Sequence, residues 1–305
     1  MPAIPDLNRL VAPLTEAQFL ALLRERKRSF LPASDPRRFE TLLNWEALNH
    51  LLDSGTFPLQ RLRVLRESTP IPTILYLKDG RLSSTALSNL LDKGVSLILN
   101  DLNKYVPALQ LLCNSITRRT SEQISAAAVV TSGRGGALEC HCDDVDLIIL
   151  QIAGTKRWQI FGPSVVAESP PQGGPVFDRV LQPGDFLFLP AGQWHHCENG
   201  PHRSLHVSIL FDPPNGRHIM TALASQLLSA EIFRRPLTRH SNLETLAAHE
   251  AALKAHLVDA IKAISLASFL TEHAASSLIE GIHLEGRTQQ PHDAKSWAQH
   301  DLNAP

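Results

Sequence analysis

Between Ile124 and Phe211 the chain is cut into short β-branched or aromatic runs separated by Gly and Pro turns, and this spacing limits the fold more than any other feature. The runs are Ala126–Thr131, Val145–Ile152, Arg157–Phe161, Val176–Leu181, Phe186–Leu189 and Leu205–Phe211. Six short strands at such intervals predict a barrel or a sandwich.

The flanks read differently. Thr15 to Arg26 is predicted helical, with Phe19, Leu20, Leu22 and Leu23 as an apolar stripe and Thr15-x-x-Gln18 as a capping box. A second helix is expected over Trp45–Leu52, then β-rich segments at Leu62–Leu65 and Thr73–Leu77. A helix around Ser84–Leu91 is expected to end at Gly94, followed by a buried strand at Val95–Leu99 and a helix over Tyr105–Ile116. Past Pro213 and Pro214 apolar residues recur at helical spacing to about Leu284, notably in Ala222–Leu228, Leu253–Ile264 and Ala267–Ile279. Such helices must bury a face on the barrel or on a second copy of the chain, which predicts a homodimer through the C-terminal helices. The expected organisation is a mixed α/β part over residues 1–120, a β core over 121–213, a helical region over 214–285 and a polar tail over 286–305. The class is α+β.

Lysine plus arginine number 29 and aspartate plus glutamate 30, so no general charge draws the chain to nucleic acid or an anionic membrane. The N-terminal residues lack the apolar core of a signal peptide, and no apolar run approaches the roughly 20 residues of a membrane span. Four cysteines (Cys113, Cys140, Cys142, Cys197) do not make a disulfide framework for 305 residues, and a cytoplasmic location is expected.

The chemistry starts at His141-Cys142-Asp143. In an extended segment alternate side chains share a face, so an imidazole and a carboxylate project together. With 14 histidines in the chain, such a pair alone says little. Downstream, Pro183-Gly184-Asp185 turns into the strand Phe186–Leu189, and Pro190 is followed by Ala191-Gly192-Gln193-Trp194-His195-His196. A cupin barrel presents its distal metal ligand in this way. Two His and one carboxylate form a facial triad that leaves coordination positions open, the arrangement of non-haem Fe(II) oxygenases. Adjacent residues of an extended segment cannot both face one metal, so either His195 or His196 serves.

The run from His141 through Leu147-Ile148-Ile149-Leu150-Gln151 to Gly154-Thr155-Lys156-Arg157-Trp158 resembles the signature of JmjC-type, cupin-4 (ribosomal-oxygenase-like) oxygenases dependent on Fe(II) and 2-oxoglutarate. Pro183-Gly184-Asp185, Leu189-Pro190-Ala191-Gly192, His195 and Ser204-Leu205-His206-Val207-Ser208 match later motifs in the same order. The resemblance implies a double-stranded β-helix, the JmjC jelly roll, over the core. It implies His141, Asp143 and His195 as Fe(II) ligands. It places Lys156, with Ser208, at the remote carboxylate of 2-oxoglutarate, and O2 as the oxidant. His196 becomes a neighbouring or substrate-facing group. Two departures stand out: Ala127 occupies a position near which the family often has asparagine, and Cys142 replaces the usual aromatic or leucine. A complete C-terminal winged helix is not expected.

The function implied is hydroxylation of a C–H in a peptide or protein side chain, such as a ribosomal protein or a peptide natural-product precursor, with lysine demethylation as a lesser option. The alternatives are a small-molecule hydroxylase, a metal-binding cupin without turnover acting as sensor or scaffold, and a zinc hydrolase. Trp158 and Trp194 are expected in packing, Trp194 near enough to line the pocket, and His206 as a buried, hydrogen-bonded histidine.

Overall fold

Alternating burial along each central strand decides the architecture. On Lys156–Pro163 every second residue is buried, whereas Asp146–Ala153 is buried on both faces along nearly its whole length. The first pattern belongs to a sheet with one face to solvent, the second to a sheet covered on both sides. The computed structural model describes residues 7–133, 138–163, 171–200, 202–237, 242–273 and 275. In chain order its elements are α1 (Leu7–Val11), α2 (Glu16–Glu25), β1 (Ser29–Leu31), α3 (Trp45–Asp53), β2 (Leu62–Arg66), β3 (Thr69–Pro70), β4 (Leu77–Lys78), β5 (Arg81–Leu82), α4 (Ser84–Leu91), β6 (Ser96–Leu99) and α5 (Pro107–Thr120). The core follows as β7 (Gln123–Thr131), β8 (Asp146–Ala153), β9 (Lys156–Pro163), β10 (Phe177–Leu181), β11 (Phe186–Leu189), β12 (Gln193–Asn199) and β13 (Ser204–Asp212), then α6 (Gly216–Ser229), α7 (Glu231–Arg234) and α8 (Leu243–Ala263).

Eight strands form one antiparallel sheet in the order β1-β11-β8-β13-β7-β6-β2-β3, and β10-β9-β12 form a second. The outer face of the large sheet, carrying Ala126, Ala128, Val130, Ile148, Leu150, Val207 and Ile209, packs on the N-terminal helices through Phe19, Leu48, Leu87, Leu112 and Ile116. Its inner face supplies Leu147, Ile149, Leu187 and Leu189, which meet Trp158, Ile160, Leu181 and Cys197 of the small sheet. This is the jelly roll with flanking N-terminal elements and C-terminal helices that the motifs imply.

The N-terminal part is clamped to the barrel through the Pro-Gly-Asp turn. The Asp185 carboxylate accepts from the Ala33 and Gln182 amides, each at 2.8 Å. Arg38 Nε donates to the Gly184 carbonyl at 2.6 Å. Gly184 has φ +85°, and a Cβ there would lie 2.5 Å from the Asp35 carbonyl oxygen. Only glycine fits both the angle and the approach.

Thr73–Leu77 is not a strand. Residues Thr73–Leu75 form a 3-10 turn that leaves Ile74 exposed, and the prolines at 70 and 72 remove ladder donors on either side of Ile71. Among strands of three residues or more, two lacked a legible pattern in the sequence, β1 and β12. The inward residues of β12, His195 and Cys197, are not hydrophobic in the alternating manner of a core strand because they face a cavity. After β13, α6 buries only Leu223, and α8 buries no residue. Residues 266–273 are helical. The rest of the helix expected to Ile279, and the polar tail, lie outside the described residues.

Candidate metal centre

His141 and His195 meet across a single antiparallel bridge. The His195 amide donates to the His141 carbonyl at 2.8 Å and the His141 amide to the His195 carbonyl at 3.1 Å. His141-Cys142-Asp143 therefore lies in irregular chain held by one bridge, not in the regular strand expected from its spacing. A β-bulge between Trp194 and His195 shifts the β12–β9 register at this point. Bulges re-aim side chains and often lie beside functional sites.

One donor atom from each of His141, Asp143 and His195 lies within 4.8 Å of the others, and no further His, Cys, Asp or Glu joins them among the described residues. Asp143 Oδ2 is 3.6 Å from His195 Nε2. The two rings lie 4.4 Å apart between centroids. Each imidazole is turned by a carbonyl two residues earlier: His141 Nδ1 is 2.7 Å from Glu139 O, and His195 Nδ1 is 2.9 Å from Gln193 O. A carbonyl only accepts, so both Nδ1 atoms donate to it and each ring turns its Nε2 away from that carbonyl. This is the usual device for presenting imidazole to a metal. Burial, with His141 as a second cause, pulls the His195 imidazole down to about 4. It is neutral at neutral pH, as a ligand must be. Two imidazole nitrogens and one carboxylate on one side of a cavity fit a divalent iron with open positions.

The triad sits on a cavity of about 460 Å³. Its floor comes from inward residues of four strands: Lys156 and Trp158 on β9, Cys197 on β12, His206 and Ser208 on β13, and Thr131 on β7. Ser208 stands directly across from Ala127. Lys156 is 4% exposed. No carboxylate of the described residues pairs with it, and burial pulls its ammonium below the usual lysine range. Trp158 Nε1, His206 Nδ1 and Thr131 Oγ1 are buried without a hydrogen-bond partner among the described residues. A buried cation beside three unsatisfied polar atoms is costly unless a polar or anionic ligand completes them.

Several expectations change here. Trp158, not Trp194, lines the cavity, and it stacks on His195 at 5.6 Å. Trp194 and His196 alternate with His195 and Cys197 on β12 and are absent from the lining. The His206 Nδ1, expected to be hydrogen-bonded, has no hydrogen-bond partner among the described residues. Strict strand alternation would turn Cys140 away from the face of His141 and Asp143, yet it lines the cavity, although its sulfur is not part of the triad. The reason is that residue 140 precedes the bridge, where strand alternation no longer applies. Sequence reasoning missed Ser68, Arg63, Ser96, Asn100 and Thr131, all on the lining. Thr131 alone had a signal, since it shares a strand face with Ala127 and Val129.

Comparison with known proteins agrees with this architecture. Residues 106–219 match the JmjC domain. The bifunctional lysine-specific demethylase and histidyl-hydroxylase NO66 of Drosophila mojavensis is 26% identical over 223 residues, 67% of this chain and 24% of that protein. Ribosomal oxygenase 2 of Mus musculus is 26% identical over 213 residues, covering 66% and 46%. The chain thus spans less than half the length of these curated relatives. Among solved structures, the Escherichia coli ribosomal oxygenase YcfD in complex with cobalt and 2-oxoglutarate shares the fold, with a TM-score of 0.55 and 18% identity over 88% of this chain and 71% of that one. Residues 106–219 thus resemble the JmjC domain, and the chain is similar to the ribosomal oxygenases in sequence over about two thirds of its length and in fold.

Proposed function

We propose that the chain is a 2-oxoglutarate-dependent dioxygenase that binds Fe(II) through His141, Asp143 and His195 and hydroxylates a C–H of a peptide or protein side chain. One observation carries the reading: a two-His, one-carboxylate set opens onto a cavity whose floor holds a buried lysine without a carboxylate partner among the described residues. A metal alone does not need that lysine, and a dicarboxylate does. Bound Fe(II) would supply activation of O2, one atom going to the substrate C–H and one to succinate as 2-oxoglutarate loses CO2.

The chain's own residues do the rest. The carbonyls of Glu139 and Gln193 hold the His141 and His195 rings with Nε2 turned away from them. Lys156 anchors the remote carboxylate, with Ser208 beside it on the facing strand and His206 and Thr131 within the same cavity. Trp158 covers one face of His195 and excludes water there. No side chain need act as a general base. A polypeptide substrate is supported by the relatives' names, histidyl-hydroxylase and ribosomal oxygenase. We also assign a homodimer through α6 and α8, because Met220, Leu257, Val258 and Ile261 remain exposed. A cytoplasmic location is consistent with four free cysteines. No helix among the described residues is long and apolar enough to cross a membrane.

The test is succinate formation from 2-oxoglutarate by Fe(II)-loaded protein under O2, including turnover without substrate. Wild type should form it and Asp143→Ala should not. No succinate from wild type, or equal amounts from both, defeats the proposal. Tightly bound zinc with O2-independent activity would mark a hydrolase instead.

A further inference from the structure

We propose that Ser68 is a positioning residue for the metal ligand His141, an inference that rests on the metal centre proposed above. Leu65 pairs with Pro70 and Arg66 with Thr69, so β2 and β3 are joined by two residues, Glu67 and Ser68. Both have positive φ, 47° and 68°. A two-residue hairpin with left-handed backbone at both positions normally takes Asn-Gly or Asp-Gly, because a Cβ is disfavoured there. A serine at the second position runs against local preference.

Its hydroxyl supplies the reason. The Glu139 amide donates to Ser68 Oγ at 3.2 Å, a contact across 71 positions of chain. The Glu139 carbonyl in turn receives the Nδ1–H of His141 at 2.7 Å. Ser68 and Glu139 both line the mouth of the cavity. The hairpin lies at the end of the large sheet, and residues 138–140 carry no strand ladder of their own. Ser68 is the hairpin's side-chain tie to this segment among the described residues. It holds Glu139, and Glu139 sets the ring that offers Nε2 to the metal. On the other side, Gln193 orients His195 from within β12, where the sheet already fixes the backbone. The tie is needed only where the ladder stops.

Two variants separate this from a purely structural role. Ser68→Gly deletes the hydroxyl and relieves the left-handed backbone. Ser68→Ala deletes the hydroxyl and leaves the strain. The measurements are thermal midpoint of the metal-free full chain, and Co(II) affinity by titration of the visible absorption. Both variants should bind Co(II) about 10- to 100-fold more weakly than wild type. The glycine variant should melt at or above wild type and the alanine variant no higher than wild type. Co(II) affinity within twofold of wild type in Ser68→Gly overturns the proposal. So does affinity that merely follows the melting order. Absence of Co(II) binding by wild type would instead remove the metal centre itself, a different failure read in the same titration.

Discussion

Lys156→Met should make the protein more stable and a poor binder of 2-oxoglutarate. The ammonium is buried, comes from the end of β9, and has no carboxylate partner among the described residues. Methionine matches its length without the charge. Replacing an uncompensated buried charge by an apolar side chain of similar volume stabilises by about 1–3 kcal/mol. That is a rise of several degrees in Tm for a chain of this size. The linkage has a definite sign. Burial depresses the folded-state pKa below the unfolded value of 10.5, so the unfolded state binds more protons between the two. Wild-type stability should therefore rise with pH across that window, while Lys156→Met should lose this slope. Cosubstrate binding moves the other way. Losing one partner of a buried charge pair costs about 3 kcal/mol, or roughly 100-fold in affinity. The assay is thermal unfolding with and without 2-oxoglutarate, paired with the KM for 2-oxoglutarate in succinate release. Affinity within threefold of wild type would refute Lys156 as the anchor. A lower Tm in the variant would refute the uncompensated-charge argument.

Acid should destabilise the metal-free protein through His195, whose folded pKa of about 4 lies below its ordinary 6.5. The unfolded state protonates first, so up to roughly 3 kcal/mol is lost as pH falls from 6.5 through 4, and His195→Gln should flatten that part of the pH profile. Gly184→Ala should cost about 2–4 kcal/mol, because a Cβ there meets the Asp35 carbonyl oxygen at 2.5 Å with φ at +85°; an unchanged Tm would contradict the clamp. If α8 mediates a homodimer, light scattering should give twice the chain mass for wild type and the monomer mass for Leu257→Asp with Ile261→Asp, two exposed residues one turn apart. A wild-type monomer at micromolar concentration would end that assignment.

The jelly roll was legible because its strands are short, apolar and punctuated. Phe186–Leu189 has the bounds its apolar run predicts, since it is buried on both sheet faces and nothing polar interrupts it. α2 begins where Thr15 and Gln18 place it, through a capping box closed by local hydrogen bonds. β12 was not legible, because a strand that lines a cavity replaces core residues with polar ones and erases the alternation. Ser68 carried no signal at all, since its role depends on an amide 71 residues away.

Local sequence therefore determined most of the elements, the class and the residue types that could hold a metal, because helix periodicity, turn chemistry and ligand identity are short-range properties. Family pattern selected His195 over His196. Only the tertiary structure decided that the triad's donor atoms converge, that Trp158 rather than Trp194 faces them, and that Lys156 is buried without a carboxylate partner among the described residues. Those facts turn on which strands face one another across the barrel, and β9, β12 and β13 meet there only after the two sheets close over a shared interior.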